Sequence, residues 1–255
     1  MLVASFVGLL SGTASAWFLI ALDFVTEYRV EHSWLLYLLP VGGVLIVFIY
    51  SRFGKGTEAG NNLLIDQIHE PRSMVPLRMV PLVVFGTLLT HLFGGSAGRE
   101  GTAVQMGGAL ADQFHQVLGF NAERRKVLLM AGISAGFASV FGTPLAGAVF
   151  GFEVLAIGRL RYNAIFPCLI AAIVGHWVCL AWGVHHTNYL LSITTVPVIT
   201  GLNLLWALIA GICFGLCAYL FSWSSHRASE LFKKLLKQPL LRPALGGVII
   251  IGATL

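Results

Sequence analysis

Long apolar runs separated by short polar breaks dominate the hydropathy pattern of this 255-residue chain. Six of these runs are apolar enough to enter a bilayer, and most approach the roughly 20 residues that a spanning helix requires. The six runs are residues 2–22, 34–50, 79–93, 127–141, 165–182 and 204–223. The pattern therefore predicts an all-α membrane protein that crosses the bilayer several times.

Three further apolar segments are too short or too interrupted to span a bilayer. They cover residues 61–68, 102–118 and 144–157, and each follows a polar, glycine-containing break. Pro144 suits the first turn of a helix, which favours a helix start at that point. Short, interrupted helices of this kind are typical of transporters with a binding site near the bilayer midplane.

The composition agrees with a membrane location and argues against nucleic-acid binding. Charged residues make up 11% of the chain, whereas soluble domains carry about 25%. The net charge of +5 comes from 16 basic residues, and all of them except Arg29 and Arg99 fall in loops or helix ends that alternate to one side. An excess of Lys and Arg marks the cytoplasmic side, so we expect a multi-pass protein of the cell (inner) membrane.

The sequence gives no reason to expect a metal or a cofactor. The four cysteines lie inside apolar runs, and the Cys213/Cys217 pair has no nearby histidine or carboxylate to complete a metal site. We interpret the cysteines as packing residues, His91 as a core histidine with a satisfied hydrogen bond, and Arg124-Arg125-Lys126 as a cytoplasmic anchor. Motifs typical of intramembrane or soluble hydrolases are lacking, so an enzyme is the weaker hypothesis.

Two landmarks recur at nearly the same offset and indicate an internal repeat. Gly8-xxx-Gly12 returns as Gly211-xxx-Gly215, and the segment 40–44 returns loosely as 243–248. In the first copy the turn between the two landmarks is acidic, and in the second copy the matching turn, residues 224–242, is rich in Lys and Arg, which predicts opposite insertion of the two copies. We therefore expect residues 1–201 to form the first inverted repeat and residues 202–255 to form the first hairpin of a second, truncated repeat.

Glu100 lies in the polar segment Gly98-Arg99-Glu100-Gly101-Thr102, between apolar runs. A carboxylate at membrane depth marks a functional site by default. The apolar run from residue 103 predicts a helix start there, and a helix start offers free N–H groups and a positive dipole end that attract anions. The segment thus combines an anion site with a titratable group.

Gly98-Arg99-Glu100-Gly101 resembles the central motif of the CLC chloride channel and transporter family. The segments 131–138 and 143–153 resemble the next helix pair of that family, in order and with the family's spacing. The resemblance covers nearly the whole chain. It implies a CLC-like inverted-repeat fold with discontinuous, tilted helices, incomplete in this chain, and a homodimer in which residues 144–157 and 165–182 supply part of the interface.

Two departures from the common family pattern resemble the bacterial fluoride–proton antiporter branch. Asn61 stands where the family has the serine that binds the central chloride, and Thr102 stands where most members have proline. An extra amide donor suits fluoride, which is small and strongly hydrated, although the same amide also serves chloride. Asn61 and Asn62 are also good N-cap residues, so a helix cap is the competing interpretation.

The resemblance implies that Glu100 acts as a gate that alternates with the anion and carries the proton. By the same resemblance Asn61, Asn62, Gly98, Arg99, Gly101 and Thr102 are the expected anion-binding residues. The inner glutamate of chloride–proton exchangers aligns with Val154, so that proton route is not expected here. The predicted function is exchange of fluoride, or another small inorganic anion such as chloride, for protons. The alternatives are a passive anion channel and a truncated subunit without transport activity.

Overall fold

The computed structural model describes residues 1–71, 73–153, 161–186 and 199–254, and these residues form helices joined by turns and short 3-10 segments. The α-helices are α1 Leu2–Glu31, α2 Leu39–Phe53, α3 Asn61–His69, α4 Met79–Leu92, α5 Arg99–Leu118, α6 Ala122–Phe141, α7 Pro144–Glu153, α8 Ile165–Ala181, α9 Gly201–Leu235 and α10 Leu241–Thr254. The expected helix starts at Asn61 and Pro144 are confirmed. Val154, Arg72 and Arg159, which the sequence analysis used, lie outside the described residues.

Four segments among the described residues are long and apolar enough to cross a membrane. They are Leu2–Glu31, Ser33–Phe53, Tyr162–Ala181 and Gly201–Leu235. Helices α4 and α10 are apolar but shorter. The expectation of a multi-pass membrane protein is therefore confirmed by length and composition.

The chain divides into two compact units. The first comprises Met1–His186 and Ala244–Leu255, and the second comprises Thr187–Pro243. Helix α6 occupies the centre of the first unit, where it packs against α1, α5, α7 and α8, and most of its length is buried. In the second unit, the long helix α9 has no buried residue.

Small residues let the central helices of the first unit approach each other closely. Gly107 on α5 and Gly132 on α6 lie so near that a Cβ atom on either would collide with the carbonyl oxygen of the other. Gly136 on α6 faces the Ala103 carbonyl in the same way. Such small-residue contacts are a common means of packing helices in membranes.

Substituting Gly132 with alanine is expected to destabilise the protein by at least about 1–3 kcal/mol, because the added methyl group must push two backbones apart. Thermal unfolding in detergent measures the effect. Gly215→Ala is the matched control, since a Cβ atom at that position on α9 meets nothing within 4 Å. A Gly132→Ala protein that unfolds at the wild-type temperature would contradict the close packing.

A buried ion pair ties the start of α6 to the middle of α5. Asp112 is fully buried, and its two carboxylate oxygens accept hydrogen bonds from Arg125 Nε at 2.6 Å and Nη2 at 2.7 Å. The Val75 backbone N–H donates to Asp112 at 2.7 Å, and Arg125 Nη2 also donates to the Ser73 carbonyl at 2.6 Å. The interpretation of Arg125 as a cytoplasmic anchor is wrong, because its side chain faces the protein interior and pairs with Asp112. The sequence does not distinguish it from its basic neighbours.

The other charges at the start of α6 differ in exposure, and Lys126 is largely buried. Glu123 in the first turn of α6 pairs with Arg161 at 2.7 Å and with Lys126 at 3.2 Å, and its side chain is 60% exposed. The hydrogen bonds from Arg161 and then Lys126 lower the pKa of Glu123. Arg124 is exposed and lies over the ring of Phe120.

The cysteines are free thiols in two different settings. Cys168 and Cys179 are buried in α8, whereas Cys213 and Cys217 are exposed on α9. Within the described residues no cluster of three or more histidine, cysteine or acidic side chains is arranged to hold a metal ion.

The glycine landmarks of the predicted repeat are closely packed in the first copy, whereas Gly211 and Gly215 of the second copy are not. Gly8 and Gly12 let α1 contact the α8 backbone at Ala171 and Gly175, while a Cβ atom at Gly211 or Gly215 would meet nothing within 4 Å. In the first unit, Gly247 of α10 lies against Pro40 of α2. The division into two inverted repeats stays a prediction.

Candidate anion site at the starts of α3 and α5

Helix α5 begins at Arg99, four residues before the start that the apolar pattern predicted. Gly98 is its N-cap, with an extended backbone (φ −74°, ψ 134°), and Glu100 lies within the first turn. The prediction of a helix start at residue 103 is wrong because apolar periodicity does not detect a polar first turn. An acidic residue is favourable there, since it faces the positive end of the helix dipole.

The Glu100 side chain folds back over the start of its own helix. A Cβ atom added at Gly98 would lie 2.5 Å from Glu100 Oε2, so the carboxylate rests against this glycine. Glu100 and Arg99 are both exposed, and Glu100 has no ion-pair partner within 4.0 Å in the part of the chain that the structure describes. The carboxylate therefore lies near the N-terminal end of α5, where a helix attracts anions, although no capping hydrogen bond forms.

Asn61 lies beside the same helix start, on a different helix. Its Nδ2 atom is 3.4 Å from the position that a Cβ atom at Gly101 would take. The starts of α3 and α5 thus meet, and the structure brings Asn61, Gly98, Glu100 and Gly101 together. The absence of a side chain at Gly101 leaves space for the amide to approach the α5 backbone.

Neither Asn61 nor Asn62 caps α3. The N-cap is Gly60, whose positive φ of 57° favours glycine, and no side-chain cap hydrogen bond forms. The cap interpretation of the two asparagines is therefore wrong. The N-cap residue has a positive φ, a conformation that glycine adopts more readily than asparagine, so the cap falls on Gly60. Asn62 is exposed, and the structure gives its side chain no hydrogen bond to a described residue.

Thr102 turns its side chain away from this junction. It is buried, and its hydroxyl group lies 2.7 Å from the hydroxyl of Thr87 on α4. It also reaches the Gly98 carbonyl at 3.5 Å. The Thr102 side chain thereby joins α5 to α4. Proline at this position would remove the hydrogen bond to Thr87.

His91 closes the loop that leads into α5. Its Nε2 atom lies 3.0 Å from the Ala97 carbonyl, and the residue is half-buried. The interpretation of His91 as a hydrogen-bonded core histidine is confirmed. In the same loop, Gly94 has a φ of 75° and lies under the Arg29 guanidinium, where a Cβ atom would have no space.

Arg99 and the start of α7 lie near a second group of polar side chains. His186 packs against Gly142, the residue two positions before Pro144, and its ring stacks on His176 at 5.9 Å between centroids. Burial lowers the pKa of His186, and the charges of His176, Arg99 and His185 lower it further. The charge of Arg99 thus acts on His186, while the Glu100 carboxylate lies over Gly98.

Gln105 is a polar residue of the junction that the sequence analysis did not select. Its Nε2 atom is 3.5 Å from the position of a Cβ atom at Gly60 and 3.9 Å from that at Gly101. The spacing of Gly101 and Gln105 could have indicated it, since residues four apart share one face of a helix.

Comparison with known proteins identifies the family of this chain. The sequence profile of the family described as "Voltage gated chloride channel" matches residues 42–255, which is most of the chain. This chain belongs to the CLC family. It is 55% identical over 252 residues to a protein of Pseudomonas syringae pv. tomato named "Chloride/fluoride channel protein", covering 97% of this chain and 54% of that protein.

Solved CLC structures share the fold of this chain. A crystal structure of a CLC-type fluoride/proton antiporter superposes with a TM-score of 0.92 at 31% identity, over 98% of this chain and 63% of that one. A slow cyanobacterial Cl⁻/H⁺ antiporter superposes with a TM-score of 0.82 at 22% identity, over 97% of this chain and 61% of that one. The expected CLC-like fold is therefore confirmed, and the chain spans about half the length of the curated relative it matches.

Proposed function

We propose that this CLC protein exchanges fluoride for protons across the cell (inner) membrane, with Glu100 as the gate. The observation that carries the proposal is the meeting of two helix starts. The Glu100 carboxylate rests on Gly98 at the first turn of α5, and the Asn61 amide lies against Gly101 of the same turn. The electropositive start of α5 therefore has both an anionic side chain, Glu100, and a hydrogen-bond donor for a free anion, Asn61.

Competition for this place couples the two ions. When Glu100 is deprotonated, its carboxylate takes the position at the helix start, where the N–H groups of residues 99–101 have no partner within the helix. Protonation removes the charge, so the side chain gives up the position to an anion. Each cycle then moves a proton and an anion in opposite directions.

The Asn61 amide is the feature that favours fluoride. Fluoride holds its hydration water strongly, and a site must replace that water with close donors. The relative from Pseudomonas syringae and the fluoride/proton antiporter of known structure carry fluoride in their names. We propose that Asn61 supplies a side-chain donor, and that the backbone N–H groups of Gly101 and its neighbours complete the set. Driven by the inward proton gradient, such exchange exports fluoride.

A passive anion channel on the same scaffold is the second candidate. The name of the Pseudomonas syringae relative, which reads channel and not exchanger, favours it. In a channel the Glu100 carboxylate would act as a gate without carrying protons through.

The two candidates differ in one measurable flux. Liposomes that contain the purified protein and an outward fluoride gradient, with no imposed pH difference, are expected to take up protons as fluoride leaves. Valinomycin and K⁺ carry the compensating charge, because fluoride efflux and proton influx move charge in the same sense. An external pH electrode reads the proton movement and a fluoride electrode reads the anion. Fluoride flux without coupled proton flux would exclude the exchanger and leave the channel.

We further propose that two copies associate through α7 and α8. The exposed apolar side chains of these helices include Leu145, Val149, Phe166, Trp177 and Trp182. An exposed apolar band on two adjacent helices of one unit suits either lipid or a second copy. The resemblance to CLC homodimers favours a second copy.

A further inference from the structure

We propose that the Gln105 carboxamide is a second side-chain donor for the anion, and that it acts with Asn61 to favour fluoride over chloride. The inference rests on the proposed function, because it names a further specificity-determining residue at the same site. It requires that the two amide groups converge, that they are free to donate, and that their surroundings attract a small anion.

The two carboxamides converge on Gly101 from different helices. Asn61 Nδ2 and Gln105 Nε2 lie 3.4 Å and 3.9 Å from the position of a Cβ atom at Gly101. Asn61 is the first residue of α3, and Gln105 lies one helical turn beyond Gly101 on α5. Gln105 Nε2 also lies 3.5 Å from the Cβ position at Gly60, so its amide bridges the starts of both helices.

Both amide groups remain free to donate. Within the residues that the structure describes, neither Asn61 nor Gln105 makes a side-chain hydrogen bond, although Gln105 is half-buried. The contrast is Gln113, two turns further along α5, whose Nε2 atom donates to the Val75 carbonyl at 3.1 Å and to the Ala109 carbonyl at 2.8 Å. Asn61 is exposed and no described residue accepts a hydrogen bond from either amide, so both can donate to an anion that enters between the two helices.

The surroundings select a small and strongly basic acceptor. The first turn of α5 directs its unpaired N–H groups and its positive dipole end toward this space, so an anion is favoured over a neutral acceptor. Because the two amide nitrogens lie 3.4 Å and 3.9 Å from one point beside Gly101, a compact anion near that point reaches both donors. Fluoride is the smallest halide and accepts hydrogen bonds most strongly, so it gains most from a second amide.

The test compares fluoride and chloride binding in two variants of Gln105. Gln105→Leu removes the donor at similar size, and Gln105→Glu replaces it with a repelling carboxylate. Titration calorimetry on the purified full chain is expected to show that Gln105→Leu weakens fluoride affinity about tenfold. This factor corresponds to the loss of one hydrogen bond to a charged group. Chloride affinity is expected to fall less than threefold, and Gln105→Glu is expected to lose fluoride binding further.

The matched control is Gln113→Leu. It removes the same chemical group from the same helix, but at a place where the amide holds the backbone of residue 75. We expect this variant to unfold at a lower temperature and to keep the wild-type ratio of fluoride to chloride affinity. A changed ratio in Gln113→Leu would attribute selectivity to general loosening of α5 and would overturn the proposal.

The remaining outcomes separate this inference from the proposed function. A wild-type fluoride-to-chloride ratio in Gln105→Leu, with intact proton-coupled exchange, overturns the inference and leaves the function standing. Absence of proton coupling in the unmodified protein overturns the exchanger, while the affinity ratio still tests Gln105. If Gln105→Leu has no further effect in an Asn61→Ala background, Gln105 only orients Asn61 and the direct-donor role fails.

Discussion

Replacing Asp112 with alanine is expected to lower the free energy of unfolding by about 3–5 kcal/mol, the usual cost of removing one partner from a buried ion pair. The Asp112 carboxylate accepts both Arg125 Nε and Nη2, and Arg125 is 5% exposed. Without the carboxylate, the guanidinium keeps its charge in a buried place and the Val75 N–H loses its acceptor. Chemical denaturation in detergent, followed by circular dichroism, measures the loss.

The control for Asp112→Ala is Glu123→Ala, which removes a carboxylate that is 60% exposed near the same helix start. Exposed pairs contribute about 0–1 kcal/mol because water and salt screen them, so this variant is expected to unfold close to the wild type. Equal destabilisation by the two substitutions would contradict the burial of the Asp112–Arg125 pair.

Loss of the Asp112–Arg125 pair is also expected to affect the candidate anion site. Ser73 and Val75, which the pair holds, lie in the segment between α3 and α4. The same segment is fastened to α3 by Gln67, which accepts the Ser73 N–H at 3.0 Å. Loosening of the segment at Asp112 therefore frees the far end of the short helix that carries Asn61.

Glu100→Gln is expected to abolish proton transport while anion binding remains. Glutamine has nearly the shape of glutamate but cannot carry a proton through a charge change, so the alternation at the start of α5 stops. In liposomes, the proton flux driven by a fluoride gradient is expected to fall to the level of protein-free vesicles, and calorimetry is expected to detect bound fluoride still. Normal pH-dependent exchange in this variant would exclude the gate role.

Glu123→Gln is the matched control for Glu100→Gln. Both glutamates lie in the first turn of a helix and both are exposed. They differ in their neighbours, because Glu123 pairs with Arg161 and Lys126 while Glu100 rests on Gly98. Proton-coupled exchange is expected to persist in Glu123→Gln, so a loss in both variants would point to damaged protein and not to the gate.

Much of the candidate site was predictable because its residues are close in sequence or carry a motif. The segment 98–102 could be selected from its polarity among apolar runs, and Asn61 from its place in a polar break. The side-chain partners could not be selected in this way. Thr87 meets Thr102 across two helices, and Gln105 meets Gly60 across two others. Such pairs depend on helix rotation and spacing, which short-range patterns do not record.

Errors of the sequence analysis have the same origin. Arg125 looks like its basic neighbours Arg124 and Lys126, yet only the packing of α5 against α6 decides that it meets Asp112. The cap role of Asn61 fits the local sequence, yet the backbone at Gly60 takes the N-cap position. At Arg125 a tertiary contact outweighs the local pattern, and at Asn61 the positive φ of Gly60 places the N-cap one residue earlier.

The sequence by itself determined that this is a helical membrane protein, where its short helices start near Asn61 and Pro144, and that it belongs with the CLC family. These properties follow from hydropathy and from glycine- and proline-containing breaks, which act over a few residues. Only the tertiary structure decided which amide side chains lie near Gly101 and which charges are buried. The physical reason is that convergence and burial are set by how separate helices pack, and packing is a property of residues distant in the chain.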